Sequence, residues 1–154
     1  METSQPADLT LPERADNLEE ARKHIFALDF SALKAMMADE AAGGLGWPAE
    51  RLDYTEMQYK RWLFLRRKYQ SKELPPSEEI DKFWHYHILD TKAYHRDTQV
   101  IFGYYLHHFP YFGMRGPADK ADLLHAWEET QELYEKEFGE PIYEYEADAD
   151  GEDT

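Results

Sequence analysis

Five of the seven histidines fall between Trp84 and Phe109: His85 and His87 in the run Phe83-Trp84-His85-Tyr86-His87-Ile88-Leu89-Asp90, then His95, His107 and His108. Set among aromatic rings and carboxylates, these imidazoles mark where a metal or proton-transfer site would lie. The chain has no cysteine. Thiolate zinc sites, iron–sulfur ligation, disulfides and cysteine nucleophiles are therefore excluded, and any metal must be held by imidazole and oxygen.

Spacing separates the candidates. Asp81 lies one helical turn before His85 on the same face, which can orient an imidazole for a metal or form a surface ion pair. His85 and His87 stand roughly 200° apart on a regular helix, so one ion could take both only with distortion. His87 shares an apolar stripe with Trp84 and Ile88, where a core histidine bonded to a backbone carbonyl or to Asp90 is the alternative. A helix from Thr91 to Gly103 carries the chain about 18 Å from the preceding turn. Five extended residues can return it about 16 Å, so reach allows His107 and His108 to converge on His85 without requiring it. The metal candidates are thus His85, His87, His107 and His108, with iron, zinc and copper equally suited to the ligand types.

Asp81, Asp90 and Tyr94 are the candidate catalytic acid–base groups. Asp97 carries the same dual reading, since each carboxylate equally suits a cap or a partner for Lys82, Lys92 or Arg96. His24 and His125 fall on separate helices and read as structural, and His95 comes within hairpin reach of His87. There is no GxSxG or HExxH motif, and Gly43-Gly44-Leu45-Gly46 lacks both the spacing and the preceding strand of a phosphate loop.

The elements that must position these residues are helical throughout. Leu18, Ala21, Ile25 and Leu28 recur at helical spacing behind Asp16 or Asn17 as a cap, predicting a helix over 15–28. Asp29 can cap a second over 30–42, stopped by the glycines at 43–46. Leu52, Tyr59, Trp62, Leu63 and Leu65 mark a long helix over 49–69, apolar on more than half its circumference and predicted to be central. Pro75-Pro76-Ser77 breaks the chain and caps a helix to Leu89, with acids in its first turn. Asp90 or Thr91 restarts the chain to a stop near Gly103. Residues 104–117 read as an ordered, aromatic-anchored loop, and a last helix over 118–138 ends at Gly139. No segment alternates with period two long enough for a strand. The reading is an all-α single domain, a bundle of about six helices over 13–140, with a flexible arm over 1–12 and an acidic, disordered tail over 141–154.

Trp84-His85-Tyr86-His87-Ile88-Leu89-Asp90-Thr91, then Tyr94, Asp97, Phe102-Gly103 and His107-His108-Phe109-Pro110-Tyr111-Phe112-Gly113 resemble the glycine-rich domain-containing protein family. Its pattern is W-H-x-H-[IM]-L, a Tyr, an Asp-Cys, then F-G and a His. The resemblance covers about 28–140 and looks like a free-standing bacterial-type member; it implies no particular reaction. Thr98 stands where the pattern has Cys, and Thr91 where plant members tend to have Pro. Were that Cys a ligand or nucleophile, this chain would be inactive or differently built.

Composition bounds the partners. The 154 residues are 42% hydrophobic and 15% aromatic, enough for one core. Seven of the 32 acids lie from Glu140 onward with no base among them, leaving 25 acids against 17 bases before that point, so about half of the net charge of −15 belongs to the tail. The basic cluster Arg61, Arg66, Arg67 and Lys68 alternates with apolar helix positions, which argues against nucleic acid as ligand. No apolar run approaches the roughly 20 residues of a membrane span, and residues 1–12 show no leader pattern. The expectation is a soluble, cytoplasmic protein of undetermined oligomeric state. Two functions stand open: a histidine/carboxylate metal-binding protein or metalloenzyme acting on a small molecule or peptide, and a non-catalytic interaction module with structural histidines. Histidines converging beside a cavity favour the first; dispersed imidazoles and an exposed aromatic patch favour the second.

Overall fold

The computed structural model describes residues 11–143 and 145. Within them lie six α-helices, one short 3-10 turn and no strand: α1 (Leu18–Phe26), α2 (Ser31–Ala38), α3 (Ala49–Lys68), α4 (Glu78–Leu89), α5 (Thr91–Phe102) and α6 (Pro117–Phe138). The chain is an all-α single domain with an aromatic-rich loop after the fifth helix. Among the described residues no helix is long and apolar enough to cross a membrane.

Helix boundaries follow local chemistry. Asn17 caps α1 by accepting from the Glu20 amide, and Ser77 caps α4 by accepting from the Ile80 amide. Gly103 and Gly139 end α5 and α6 with φ of 83° and 77°, a left-handed conformation that costs glycine little. The second helix stops four residues earlier than the periodicity predicts. Asp39 turns its side chain to accept from the Ala41 amide and opens a 3-10 turn, Glu40–Ala42. The chain then folds back so that the amides of Leu45 and Gly46 both donate to Met37 O. That return passes so close to the helix end that a Cβ on Gly44 would sit 2.0 Å from Met36 O.

Helix α3 is the axis of the bundle, packing against α1, α2, α4 and α6. Tyr59, Trp62, Leu63 and Leu65 are fully buried along it, and Phe83, Trp84, Ile101 and Phe102 close the main core from α4 and α5. Leu65, Leu74 and Tyr134 form a smaller cluster that attaches α6. The bases of α3 serve this packing. Arg61 pairs with Glu140, Lys68 with Glu137, and Arg67 donates to Ile101 O at the end of α5.

The expected arm over 1–12 and tail over 141–154 fall mostly outside the described residues. The described part of the latter lies against α3: Tyr54 Oη and Gln58 Nε2 both donate to Tyr143 O, and Ile142 packs on the smaller cluster.

Candidate metal centre and adjoining cleft

Asp81 and His85 follow Ser77 on the first two turns of α4, four residues apart and therefore on one face. The third member, His108, comes from the loop after α5. Its placement depends on a chain of buried hydrogen bonds. The indole N–H of Trp84 donates to Tyr94 Oη at 2.8 Å, and Tyr94 Oη donates to Leu106 O, which ties the loop to both helices. Leu106 is buried as an anchor. Two residues on, His108 lies over the Trp84 ring with centroids 4.3 Å apart. Its imidazole there meets the exposed face of α4. His107 also borders the cleft but sets its ring against Tyr105, centroids 4.8 Å apart. The loop thus sorts its side chains by alternation, and this divides the His107-His108 pair.

Three ligand side chains converge, with one ligand atom from each within 4.8 Å of the others. His108 Nε2 is 2.7 Å from Asp81 Oδ1, His85 Nε2 is 3.2 Å from Asp81 Oδ2, and the two Nε2 atoms are 3.0 Å apart. An imidazole nitrogen carries one proton at most on each ring position, so the two nitrogens facing each other and one carboxylate leave a point where three lone pairs can meet. Ligand atoms about 2.1 Å from one ion stand about 3.0 Å apart when mutually cis in an octahedral set, and about 3.4 Å apart at the tetrahedral angle. The two Nε2 atoms, 3.0 Å apart, fit the former. Two histidines and one carboxylate on one face would leave the remaining coordination positions open. His85 is half-exposed, so those positions are not sealed from solvent.

The other sequence candidates lie elsewhere. His87 is buried, on the opposite side of α4. Its Nδ1 is 2.7 Å from Tyr59 Oη and its Nε2 2.9 Å from Asp97 Oδ2, so neither nitrogen is left for a metal. Burial raises the Tyr59 pKa and keeps the phenol protonated. The Asp97 carboxylate can only accept, so Nε2 carries the proton that faces it. Burial alone would raise the Asp97 pKa. The His87 imidazole bonded to it and the His24 imidazole 3.8 Å away outweigh this and hold the carboxyl below its ordinary value. The partner of His87 is therefore Asp97, seven residues further along the chain than the Asp90 weighed from sequence. Asp90 itself is exposed between α4 and α5 and makes no side-chain cap. Tyr94 is fully buried, its hydroxyl committed to Trp84 and Leu106, and burial raises its pKa. It positions the loop, and its hydroxyl is not among the groups that meet at Asp81, His85 and His108. His95, His107 and His125 are exposed.

Beside the cluster a cleft of about 290 Å³ is walled by Trp84, Phe109, Phe112 and Leu123, with Asp81, His108 and Arg66 on its polar side. Arg66 was visible in the sequence only as part of a basic cluster; nothing in the spacing pointed it toward the histidines. Comparison with known proteins finds no matching family model, no similar curated protein and no similar solved structure.

Proposed function

We propose that Asp81, His85 and His108 hold one divalent transition-metal ion, and that the protein is a small metal-binding protein whose ion presents open positions to the adjoining cleft. The observation that carries this reading is the convergence of one carboxylate and two imidazoles, whose ligand atoms lie within 4.8 Å of one another and whose two Nε2 atoms are 3.0 Å apart, from two elements separated in sequence. In such a site the ion supplies a Lewis acid for a small molecule or peptide, and Asp81 and the two imidazoles set its geometry. Zinc and iron fit the donor set, and copper shares the imidazole preference.

On this reading the W-H-x-H-[IM]-L pattern, shared with the glycine-rich domain-containing protein family, divides its parts: Trp84 and His87 build the core and His85 faces the ion. Thr98, which departs from that pattern, is buried and donates to Tyr94 O on the inner side of α5, so the exchange leaves the three ligands intact.

The test is elemental analysis of protein purified after growth with added zinc, iron or copper. About one equivalent of one metal is expected, lost in His108→Ala and Asp81→Asn and retained in His107→Ala. Metal below about a tenth of an equivalent under every supplement would overturn the reading. Exposed Phe109, Tyr111 and Met114 on the loop favour a second reading, docking of a partner protein through this surface. That reading requires a partner captured by the wild type and lost on Phe109→Ser with metal content unchanged.

A further inference from the structure

Helix α3 carries six bases, and five have partners among the described residues: Arg51 with Glu79, Lys60 with Glu56, Arg61 with Glu140, Arg67 with Ile101 O, and Lys68 with Glu137. Arg66 alone makes no hydrogen bond or ion pair to a described residue. It is half-buried, its guanidinium carbon 5.3 Å from the Trp62 ring centroid, and it lines the same cleft as Asp81 and His108. A guanidinium carries five N–H donors and stays charged, so leaving it partly desolvated without an acceptor is costly. Burial pulls its pKa below the ordinary value, while attraction to Tyr104 and Glu73 opposes this.

We infer that the cleft binds a small carboxylic acid, its carboxylate on the Arg66 guanidinium and its apolar body against Trp84, Phe109 and Phe112, next to the metal ion. The inference rests on the metal reading for the neighbouring ion and on Arg66 for the anion. A planar carboxylate matches the fork of donors in two parallel hydrogen bonds. About 290 Å³ is at the small end of ligand cavities, which limits the body to the size of a single ring or a short branched chain. Charge decides between a carboxylate and a phosphate ester. Glu73, Glu78 and Asp81 line the same cleft, and these acids repel a second negative charge more than they repel the first.

Calorimetric titration of the full-length, zinc-supplemented protein with phenylacetate, phenylacetamide and inorganic phosphate tests this, with zinc content measured on each sample. Phenylacetate is expected to bind saturably, phenylacetamide at least about tenfold more weakly, and phosphate more weakly than phenylacetate. Arg66→Gln is expected to weaken phenylacetate binding by about tenfold or more while keeping its zinc, and Arg66→Lys to recover part of the loss. The acid–amide comparison on the wild type stands even where a variant fails to fold. One zinc per chain with no preference for acid over amide overturns the carboxylate inference alone. No zinc, with Arg66-dependent phenylacetate binding retained, overturns the metal reading alone. Tighter binding of phosphate than of phenylacetate overturns the assignment to a carboxylate.

Discussion

Replacing Tyr94 by Phe removes one oxygen from a buried relay and leaves the ring that fills the core. In the wild type that oxygen accepts from Trp84 Nε1 and donates to Leu106 O, and all three residues are buried. Without it an indole N–H and a carbonyl lose their partners in apolar surroundings, at about 1–3 kcal/mol for each unpaired group. Partial relaxation of the loop offsets some of this, so a net loss of about 2–3 kcal/mol is expected. For a domain of this length that lowers the melting temperature by roughly 4–12 °C. Stability alone does not distinguish the relay from any other buried hydrogen bond. The distinguishing quantity is zinc affinity, because the Leu106 tether places His108 two residues further on. Loss of a supporting shell typically weakens a metal site by about 10–100-fold, and the lower end is expected here because the Trp84 ring still lies beneath His108. The control is Tyr134→Phe, which removes the hydroxyl of another buried tyrosine, one that accepts from Arg61 at 3.1 Å in the α6 cluster. It should cost less stability, since Arg61 keeps its pairing with Glu140, and leave zinc affinity unchanged. Thermal unfolding of the metal-free proteins and competition titration with a chromogenic chelator measure the two quantities. Equal zinc affinity in Tyr94→Phe and wild type would refute the positioning argument, whatever happened to the melting temperature.

Two further outcomes follow from single residues. Gly44→Ala is expected to cost more than about 3 kcal/mol, because the added Cβ would meet the Met36 and Met37 carbonyls at 2.0 and 2.6 Å and a main-chain atom cannot turn aside as a side chain can; a denaturant midpoint near wild type would contradict the crossing described for residues 43–46. Asp97, with a pKa held below that of the unfolded chain, contributes stability that is full above the unfolded value of about 4 and is lost as pH falls through the folded value. Urea unfolding of wild type and Asp97→Asn at pH 6 and pH 3 should therefore differ most at pH 6, and a gap that widened toward pH 3 would show the sign to be wrong.

The helices were legible because their signals are local. Asn17, Ser77, Gly103 and Gly139 act within four residues of where they stand, and the apolar stripe of α3 is a property of 20 consecutive residues. The early stop of α2 was not legible in the same way, since Asp39 can occupy a helix as readily as cap a turn, and the deciding contact is the return of Leu45 and Gly46 to Met37 O. The Asp81–His85 half of the candidate centre follows from four-residue spacing alone. His108 could not be told from His107 by composition; the alternation set by buried Leu106 tells them apart, and period-two reading of an aromatic loop would have suggested it. Arg66 and the pairing of His87 with Tyr59 and Asp97 depend on the angle at which α3, α4 and α5 meet, which no single segment encodes.

The line Tyr59–His87–Asp97 joins one residue from each of three helices, and this has a geometric consequence for the surface above it. Apolar helices packed ridge into groove have neighbouring arrangements one turn apart, about 5.4 Å along the axis. Sliding α4 by one turn would bring Phe83 to the place of His87 and still bury an aromatic ring, so apolar contact alone discriminates weakly between the two arrangements. The slid arrangement would strand the Tyr59 hydroxyl and the Asp97 carboxylate, at about 1–3 kcal/mol for each neutral group and more for the charge. His87 therefore works as an index pin that admits one axial setting of α4. His85 rides on the same rigid turn, facing outward, and a tolerance of a few tenths of an ångström at the inner histidine becomes the tolerance at the outer one. The two imidazoles of the H-x-H unit, which no single ion could share, are coupled all the same: the one that cannot reach a ligand determines where the other one stands.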